Sequence, residues 1–178
     1  MVIVWSASLE AGDMTAQQRL FLIQGQSGFA VFKLLRARSE FHPCHALHYL
    51  QMATEMLGKA FIWKSGPPAK LSHSAFVRFL RHLETNRLAQ AQLGCEKQNN
   101  RWRNLILKSI PLAQEVEKLA PNLAGTGPNP EYPWPPSMPT MAPALYQFHL
   151  WGTLERTADG RKFLSFVSQL FERAGAYL

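Results

Sequence analysis

Apolar residues recur at helical spacing along most of this chain, and the clearest run lies between His42 and Trp63. Pro43 suits the first turn of a helix, where its missing N–H would have no partner. Glu55 precedes Lys59 by four residues, which is the favourable order for an ion pair along a helix. A helix from about residue 42 to residue 63 is predicted by one apolar stripe, formed by Ala46, Tyr49, Leu50, Ala53, Met56, Leu57, Ala60 and Phe61.

A helical region that ends near Arg38 is predicted before this helix. Asp13 and Thr15 can cap its start, because their side-chain oxygens accept hydrogen bonds from the first backbone N–H groups of a helix. Gly25 and Gly28 interrupt the apolar pattern, and a glycine inside a helix costs about 1 kcal/mol relative to alanine. The pattern therefore leaves two alternatives open, one broken helix or two separate helices.

Further helices are predicted between residues 72 and 120. Ser72 can cap the first of them, and the polar residues 85–100 fit a helix with a loop near Gly94. A second amphipathic helix follows from about Arg101, and Pro111 inside it predicts either a kink or a restart. The buried face of the first helix is predicted to contain Phe76, Phe79, Leu80 and Leu83.

Residues 121–143 hold eight of the twelve prolines in the chain. Proline lacks an N–H and disfavours helix in the residue before it, so this segment is predicted to be extended. Tyr132 and Trp134 lie among the prolines, which favours packing of the segment along the helices. Residues 145–151 fit a short strand or a short helix. One more helix is predicted at the end of the chain, with an apolar face of Phe163, Phe166, Val167, Leu170, Phe171 and Ala174.

These elements predict an all-α fold, a single helical bundle of four to five main helices in one domain over residues 1–178. The core helices occupy residues 13–120, the proline-rich extended crossover residues 121–143, and a C-terminal element and helix residues 144–178. Apolar residues make up 47% of the chain and charged residues 17%, a balance that argues against global disorder.

Cysteine count and charge indicate where the protein acts and what it meets. Cys44 and Cys95 are too few for a disulfide framework, which favours a reducing compartment. The N-terminus lacks a basic region, and no window approaches the roughly 18 apolar residues of a membrane span, so we expect a cytoplasmic protein that does not enter a membrane. The net charge of +7 favours acidic partners such as nucleic acid, acidic proteins or anionic surfaces.

The predicted helix at 42–63 carries Gln51, Ala53, Glu55, Lys59 and Ala60 in the order Gln-x-Ala-x-Glu-x-x-x-Lys-Ala. This arrangement resembles the signature helix of the HEPN superfamily (higher eukaryotes and prokaryotes nucleotide-binding domains), and the resemblance extends over roughly residues 15–120. It implies a bundle of four or five helices, often dimeric. Many members are metal-independent ribonucleases with an Arg-x(4–6)-His motif, found in toxin–antitoxin, phage-defence and RNA-processing systems. Other members lack the motif and act as partners or binding scaffolds.

In that superfamily the ribonuclease motif lies near the start of a late helix, and this chain has no Arg/His pair of suitable spacing after residue 100. Suitable pairs occur earlier, Arg36 with His42 and Arg38 with His45. Histidine has a pKa suited to activating a 2′-hydroxyl and arginine can hold a phosphate, so these four are the candidate catalytic residues. The alternative is that the arginines are solvated charges at a helix end.

His42, Cys44, His45 and His48 lie close together in the sequence and are candidate metal ligands. The third histidine would point away from the helix face that two of them can share, and no second Cys/His pair elsewhere completes a zinc site. We therefore predict no metal and no other cofactor.

The densest basic region surrounds Trp102, which lies between Arg101 and Arg103. Its arginines could contact phosphates while the indole stacks on a base. The alternative is a solvated basic face with Trp102 in the core. The candidate RNA-binding residues are Arg78, Arg81, Arg87, Arg101, Trp102, Arg103 and Lys108.

Three functions remain open from the sequence. The first is a non-catalytic or degenerate HEPN-like protein that binds RNA or a partner protein, in a bacterial defence or toxin–antitoxin system and as a monomer or a homodimer. The second is a metal-independent ribonuclease, and the third is a structural subunit of a larger complex. A protein partner would dock on the basic face or on the aromatic and proline-rich strip at 129–136, which could instead cover its own bundle. The missing late motif disfavours the ribonuclease.

Overall fold

The computed structural model describes residues 14–63, 73–125, 127–134 and 141–178. Within these residues the chain forms eight α-helices and no β-strand, which confirms the predicted all-α fold. The helices are α1 (Ala16–Arg36), α2 (Pro43–Ile62), α3 (Ala75–Leu83), α4 (Arg87–Gln92), α5 (Asn99–Glu117), α6 (Pro121–Ala124), α7 (His149–Arg156) and α8 (Ala158–Arg173).

α1 is one unbroken helix, so neither glycine divides it. A Cβ at Gly28 would lie 3.5 Å from the Cβ of Ala53 on α2, and a Cβ at Gly25 would lie 3.2 Å from the Ala53 carbonyl oxygen. The absence of side chains at these positions lets α1 pack closely against α2. This packing offsets the unfavourable helix propensity of the two glycines.

Of the three predicted capping residues, the structure describes only Thr15, and this residue does cap its helix. Thr15 caps α1, and its hydroxyl accepts the backbone N–H of the third helical residue at 3.2 Å in a capping box. His42 caps α2, with Pro43 in its first turn. The other two predicted caps, Asp13 and Ser72, lie outside the described residues.

α2 is the central helix and contacts α1, α3 and α5. Its side chains Leu47, Leu50 and Leu57 are completely buried. At the crossing with α3 the two backbones approach so closely that a Cβ on Gly58 would lie 2.4 Å from the carbonyl carbon of Ala75. The crossing therefore requires glycine at this position.

The polar stretch at 85–100 contains α4 and a turn in which Gly94 has a φ of +71°, a value that glycine adopts readily. α5 then continues through Pro111, so the helix does not restart there. Pro111 is exposed, and the carbonyl group that loses its helical partner at this proline can bond to water.

The proline-rich segment is only partly extended. It begins with α6, in which Pro121 takes the first helical position, where its fixed φ is favourable. It ends in a 3-10 turn, Pro143–Leu145. The prediction that residues 121–143 are extended throughout is therefore wrong at both ends. Between these turns an isolated antiparallel bridge joins Trp134 and Met141.

The described part of this segment packs against the residues that lead into α7, which agrees with the predicted packing along the helices. The buried Trp134 ring lies 5.3 Å from the Tyr146 ring and 6.5 Å from the Phe148 ring, in edge-to-face arrangements. Tyr132 is exposed, so only one of the two aromatic residues in the strip anchors it. Residues 135–140 lie outside the described residues.

α8 completes the core. Residues 145–151, which fit a strand or a helix by sequence, form no strand. Their first residue ends a 3-10 turn, and their last three residues begin α7. Phe163, Phe166 and Leu170 of α8 are buried in the same hydrophobic core as the apolar faces of α1, α2, α3 and α5. Among the described residues, no helix is both long enough and apolar enough to cross a membrane.

Candidate functional site

A groove of about 720 Å³ lies between α5 and α8, and the turn at Gly94 also lines it. Residues spaced three or four apart on each helix face it, because such residues share one side of a helix. α5 contributes Arg101, Asn104, Leu105, Lys108 and Ser109, and α8 contributes Asp159, Lys162, Phe163, Ser165, Phe166 and Gln169. We call this feature the α5–α8 groove.

The α5–α8 groove is cationic. Arg101, Lys108 and Lys162 line it, against a single carboxylate, that of Asp159. Lys108 Nζ lies 3.7 Å from Asp159 Oδ1, and both side chains are more than half exposed, so this ion pair is weak. The groove therefore presents a net positive charge to solvent.

The walls of the groove offer a second kind of contact. Leu93 and Leu105 are half-buried and border it, and Phe163 and Phe166 also line it but are only 1% and 2% exposed. The polar side chains of Asn104, Ser165 and Gln169 also line the groove. Such a surface can hold a flat apolar group while the cations hold an anion.

Two of the predicted RNA-binding residues, Arg101 and Lys108, line the α5–α8 groove, and the others do not. Arg103 Nε donates to Glu84 Oε1 at 2.9 Å, outside the groove. Arg87 Nη1 donates to Asn99 Oδ1 at 2.7 Å. The two remaining arginines, Arg78 and Arg81, are exposed on α3.

Trp102 is a core residue, which is the alternative that the sequence left open. Its side chain is 1% exposed, and its indole Nε1–H donates to the Leu83 carbonyl oxygen at 3.0 Å. Its ring packs edge-to-face on Phe166, with centroids 6.0 Å apart. A buried indole cannot stack on an RNA base, so including Trp102 among the RNA-binding residues is wrong.

The candidate catalytic residues at the α1–α2 junction have other contacts. Arg36 makes a two-pronged ion pair with Glu155, with Nε–Oε1 at 2.6 Å and Nη2–Oε2 at 3.2 Å, which joins α1 to α7. His42 Nδ1 accepts the backbone N–H of Cys44 at 3.3 Å. Arg38 and His45 are exposed. Arg36 and His42 thus have structural roles that account for their positions.

No group of three or more His, Cys, Asp or Glu side chains within the described ranges is arranged to hold a metal ion. His42, Cys44 and His45 follow one another on the first turn of α2, and Cys44 is buried there. Burial raises the pKa of the Cys44 thiol, which disfavours the thiolate that metals bind.

A second polar region lies buried between α2 and the start of α3. Glu55 is 5% exposed and accepts Gln51 Nε2 at 2.7 Å, the Lys59 ammonium, and His73 Nδ1 at 2.8 Å. His73 Nε2 lies 3.1 Å from Asn122 Nδ2, so the tautomer with the proton on Nδ1 satisfies both contacts. We call Gln51, Glu55, Lys59 and His73 the Glu55 cluster.

Two buried carboxylates in this region have opposite pKa shifts. For Glu55, burial raises the pKa, but hydrogen bonds from Lys59 and His73 outweigh it and hold the pKa below its ordinary value. For Glu117 burial dominates and raises the pKa, although the carboxylate accepts the backbone N–H of Val77 at 2.9 Å. Glu55 is therefore held ionised by its partners, whereas Glu117 is ionised at a cost.

His73 is a residue of this region to which the sequence assigned no role. The signal was present, because Gln51, Glu55 and Lys59 are the polar residues of the HEPN-like pattern, and His73 bonds to the same Glu55 carboxylate as the other two. The small residues of that pattern, Ala53 and Ala60, are buried where α2 packs against its neighbours. No protein-family model, curated protein or solved structure matches this chain.

Proposed function

We propose that this chain is a HEPN-like protein that binds single-stranded RNA in the α5–α8 groove and does not cleave it. The observation that carries the proposal is the grouping of Arg101, Lys108 and Lys162 over an apolar wall, with one weakly paired carboxylate among them. Phosphates bind such cations, and bases pack against apolar walls.

The size of the groove favours a single strand over a duplex. Its volume of about 720 Å³ lies within the range of pockets that hold small molecules, roughly 300–1,000 Å³, so it accommodates one or two nucleotides. The lysine ammonium groups are exposed along the rim, where a phosphate backbone can follow them. Contacts of this kind are made to the backbone, and we expect little sequence preference.

The contacts of one candidate catalytic pair, Arg36 and His42, support binding without cleavage. Arg36 is engaged by Glu155, and His42 accepts a backbone N–H through Nδ1. The polar residues of the HEPN-like pattern on α2 build the buried Glu55 cluster and form no exposed catalytic site among the described residues.

Binding of labelled single-stranded RNA tests the proposal. We expect Lys108→Ala/Lys162→Ala to weaken binding by at least about tenfold and to lower the slope of log K against log salt by roughly 1.4, at about 0.7 for each lost phosphate contact. A matched control removes the same charge outside the groove, Arg78→Ala/Arg103→Ala, and should change the affinity by less than about twofold.

Equal losses in both double variants would show that net charge, and not the groove, binds RNA. RNA cleavage that resists EDTA and is lost in His42→Ala/His45→Ala would establish a metal-independent ribonuclease and replace the proposal. Absence of RNA binding by the wild-type protein at physiological salt would refute it outright.

A further inference from the structure

A stripe of apolar side chains on α1 faces solvent. Leu20, Ile23 and Leu34 are 60%, 56% and 51% exposed. With Ser27 and Ala30 they follow alternating spacings of three and four residues, the repeat by which one helix packs along another. The stripe extends over about 21 Å of helix, from the rise of 1.5 Å per residue. We call these five residues the α1 stripe.

The α1 stripe has a recessed centre. Ser27 and Ala30 are small, and the large residues flank them on either side along the helix. Beside Ala30 a cleft of about 130 Å³ opens between α1 and α8, with Phe29 and Phe171 among its apolar lining residues. A protruding side chain of a partner helix fits this recess better than the flat surface of a bilayer does.

The charges beside the α1 stripe are all of one sign within the helix. α1 contains no aspartate or glutamate, and its cations on the side of the stripe are Arg19 and Lys33, whereas Arg36 is engaged by Glu155. The nearest carboxylate at the cleft, that of Glu172, accepts the hydroxyl of Ser168 at 2.8 Å. A second copy of α1 would bring like charges together, whereas a helix with acidic flanks would complement them.

We propose that the α1 stripe docks an amphipathic helix of another protein whose apolar face is flanked by acidic residues. α1 contributes no residue to the α5–α8 groove, so docking on the stripe leaves the groove open. The partner's apolar residues would cover Leu20, Ile23 and Leu34, and its carboxylates would meet the cations at the two ends of α1.

Two synthetic helical peptides test this proposal against the full chain. Each has about four heptads with leucine at positions a and d, and they differ only at positions e and g, glutamate in one and lysine in the other. Like charges at e and g oppose self-pairing of each peptide. We expect the glutamate peptide to bind at least about tenfold more tightly than the lysine peptide in fluorescence anisotropy.

A matched pair of variants locates the binding. Leu20→Ser/Ile23→Ser should weaken binding of the glutamate peptide at least about tenfold, because it removes apolar surface at one end of the stripe. Leu88→Ser/Leu145→Ser removes exposed leucines at 54% and 77% exposure outside the stripe and should leave binding unchanged. Circular dichroism of both variants verifies that the helices remain.

Three results would overturn the proposal. Equal binding of the two peptides, or no binding of either, would exclude a partner helix with acidic flanks. A monomer–dimer equilibrium in sedimentation that Leu20→Ser/Ile23→Ser abolishes would assign the stripe to a second copy of this chain. Binding to vesicles of anionic phospholipid, lost in the same variant, would assign it to a lipid surface.

Discussion

The Glu55 cluster and the α5–α8 groove use the same kinds of side chain for opposite purposes. In the cluster, each polar group has a partner and the central carboxylate is 5% exposed. In the groove, Lys108 and Lys162 are exposed to solvent, and Lys108 forms a weak ion pair with the exposed carboxylate of Asp159. A buried charge that loses its partner destabilises the fold, whereas an exposed charge retains water as a partner and is available to a ligand.

This difference shows why residue type alone does not identify a functional site. The HEPN-like pattern on α2 contains the most distinctive polar residues of the chain, yet Gln51, Glu55 and Lys59 point into the protein. The cations that line the α5–α8 groove are ordinary lysines and an arginine on helix surfaces. The comparison predicts large stability effects in the cluster and small ones in the groove.

Glu55→Ala should give the largest effect. It leaves the Lys59 ammonium and the His73 imidazole without their shared acceptor, and removal of one partner of a buried ion pair costs about 3–5 kcal/mol. Urea unfolding followed by circular dichroism measures the change in the free energy of unfolding.

Arg101→Ala in the groove is the control for Glu55→Ala, with an expected loss below about 0.5 kcal/mol. Glu55→Gln, which keeps one acceptor oxygen, should fall between the two and remains measurable if the alanine variant does not fold. Similar losses in Glu55→Ala and Arg101→Ala would show that the cluster does not stabilise the α2–α3 junction.

Gly58→Ala should give the next largest effect, beside the Glu55 cluster. The new methyl group would lie 2.4 Å from the Ala75 carbonyl carbon and 2.5 Å from the Phe76 nitrogen, so α3 must move. Overpacking of this kind costs about 1–3 kcal/mol, measured as a shift of the urea midpoint.

Gly152→Ala has the opposite expected sign. Among the described residues, no atom beyond its chain neighbours and its own helix backbone lies within 4 Å of the position its Cβ would take. The substitution should therefore stabilise α7 by up to about 1 kcal/mol through helix propensity alone. If both alanines stabilise the protein, the close crossing of α2 and α3 is not present in solution.

The helices were largely predictable from the sequence because apolar periodicity determines which face of a helix is buried. The same periodicity explains the buried Trp102 between two exposed arginines, since consecutive residues point to different sides of a helix. α6 was not predicted, because a high density of prolines indicates an extended segment. A proline at the first helical position nevertheless favours a helix, as Pro121 does here.

Only part of the candidate site was predictable from the sequence. Arg101 and Lys108 lie in the basic region that the sequence indicated, but Lys162 joins them only because α8 packs beside α5. The ion pair between Arg36 and Glu155 likewise connects helices far apart in the sequence. Contacts of this range depend on the tertiary arrangement, for which a single sequence contains no periodic signal.

Glu117→Gln should give the smallest effect, which is visible only as a change in the pH dependence of the free energy of unfolding. The folded-state pKa of Glu117 is raised, so the folded protein binds its proton more tightly than the unfolded chain does. Stability is therefore lost as the pH rises from the unfolded pKa, about 4.5, through the folded one. Glu55 acts in the opposite sense, since its lowered pKa contributes stability that is lost as the pH falls below about 4.5.

The pH-dependent contribution of Glu117 to stability can be separated from that of Glu55. The measurement compares urea unfolding of Glu117→Gln and wild type from acid to neutral pH. The free-energy difference between them should shift in favour of the variant as the pH rises above about 4.5, because only the wild type must ionise a buried carboxyl. Glu115→Gln, at an exposed position on the same helix, should show no such shift. A pH-independent difference for Glu117→Gln would mean that its carboxylate is as well stabilised in the fold as in water, and the contrast with Glu55 would disappear.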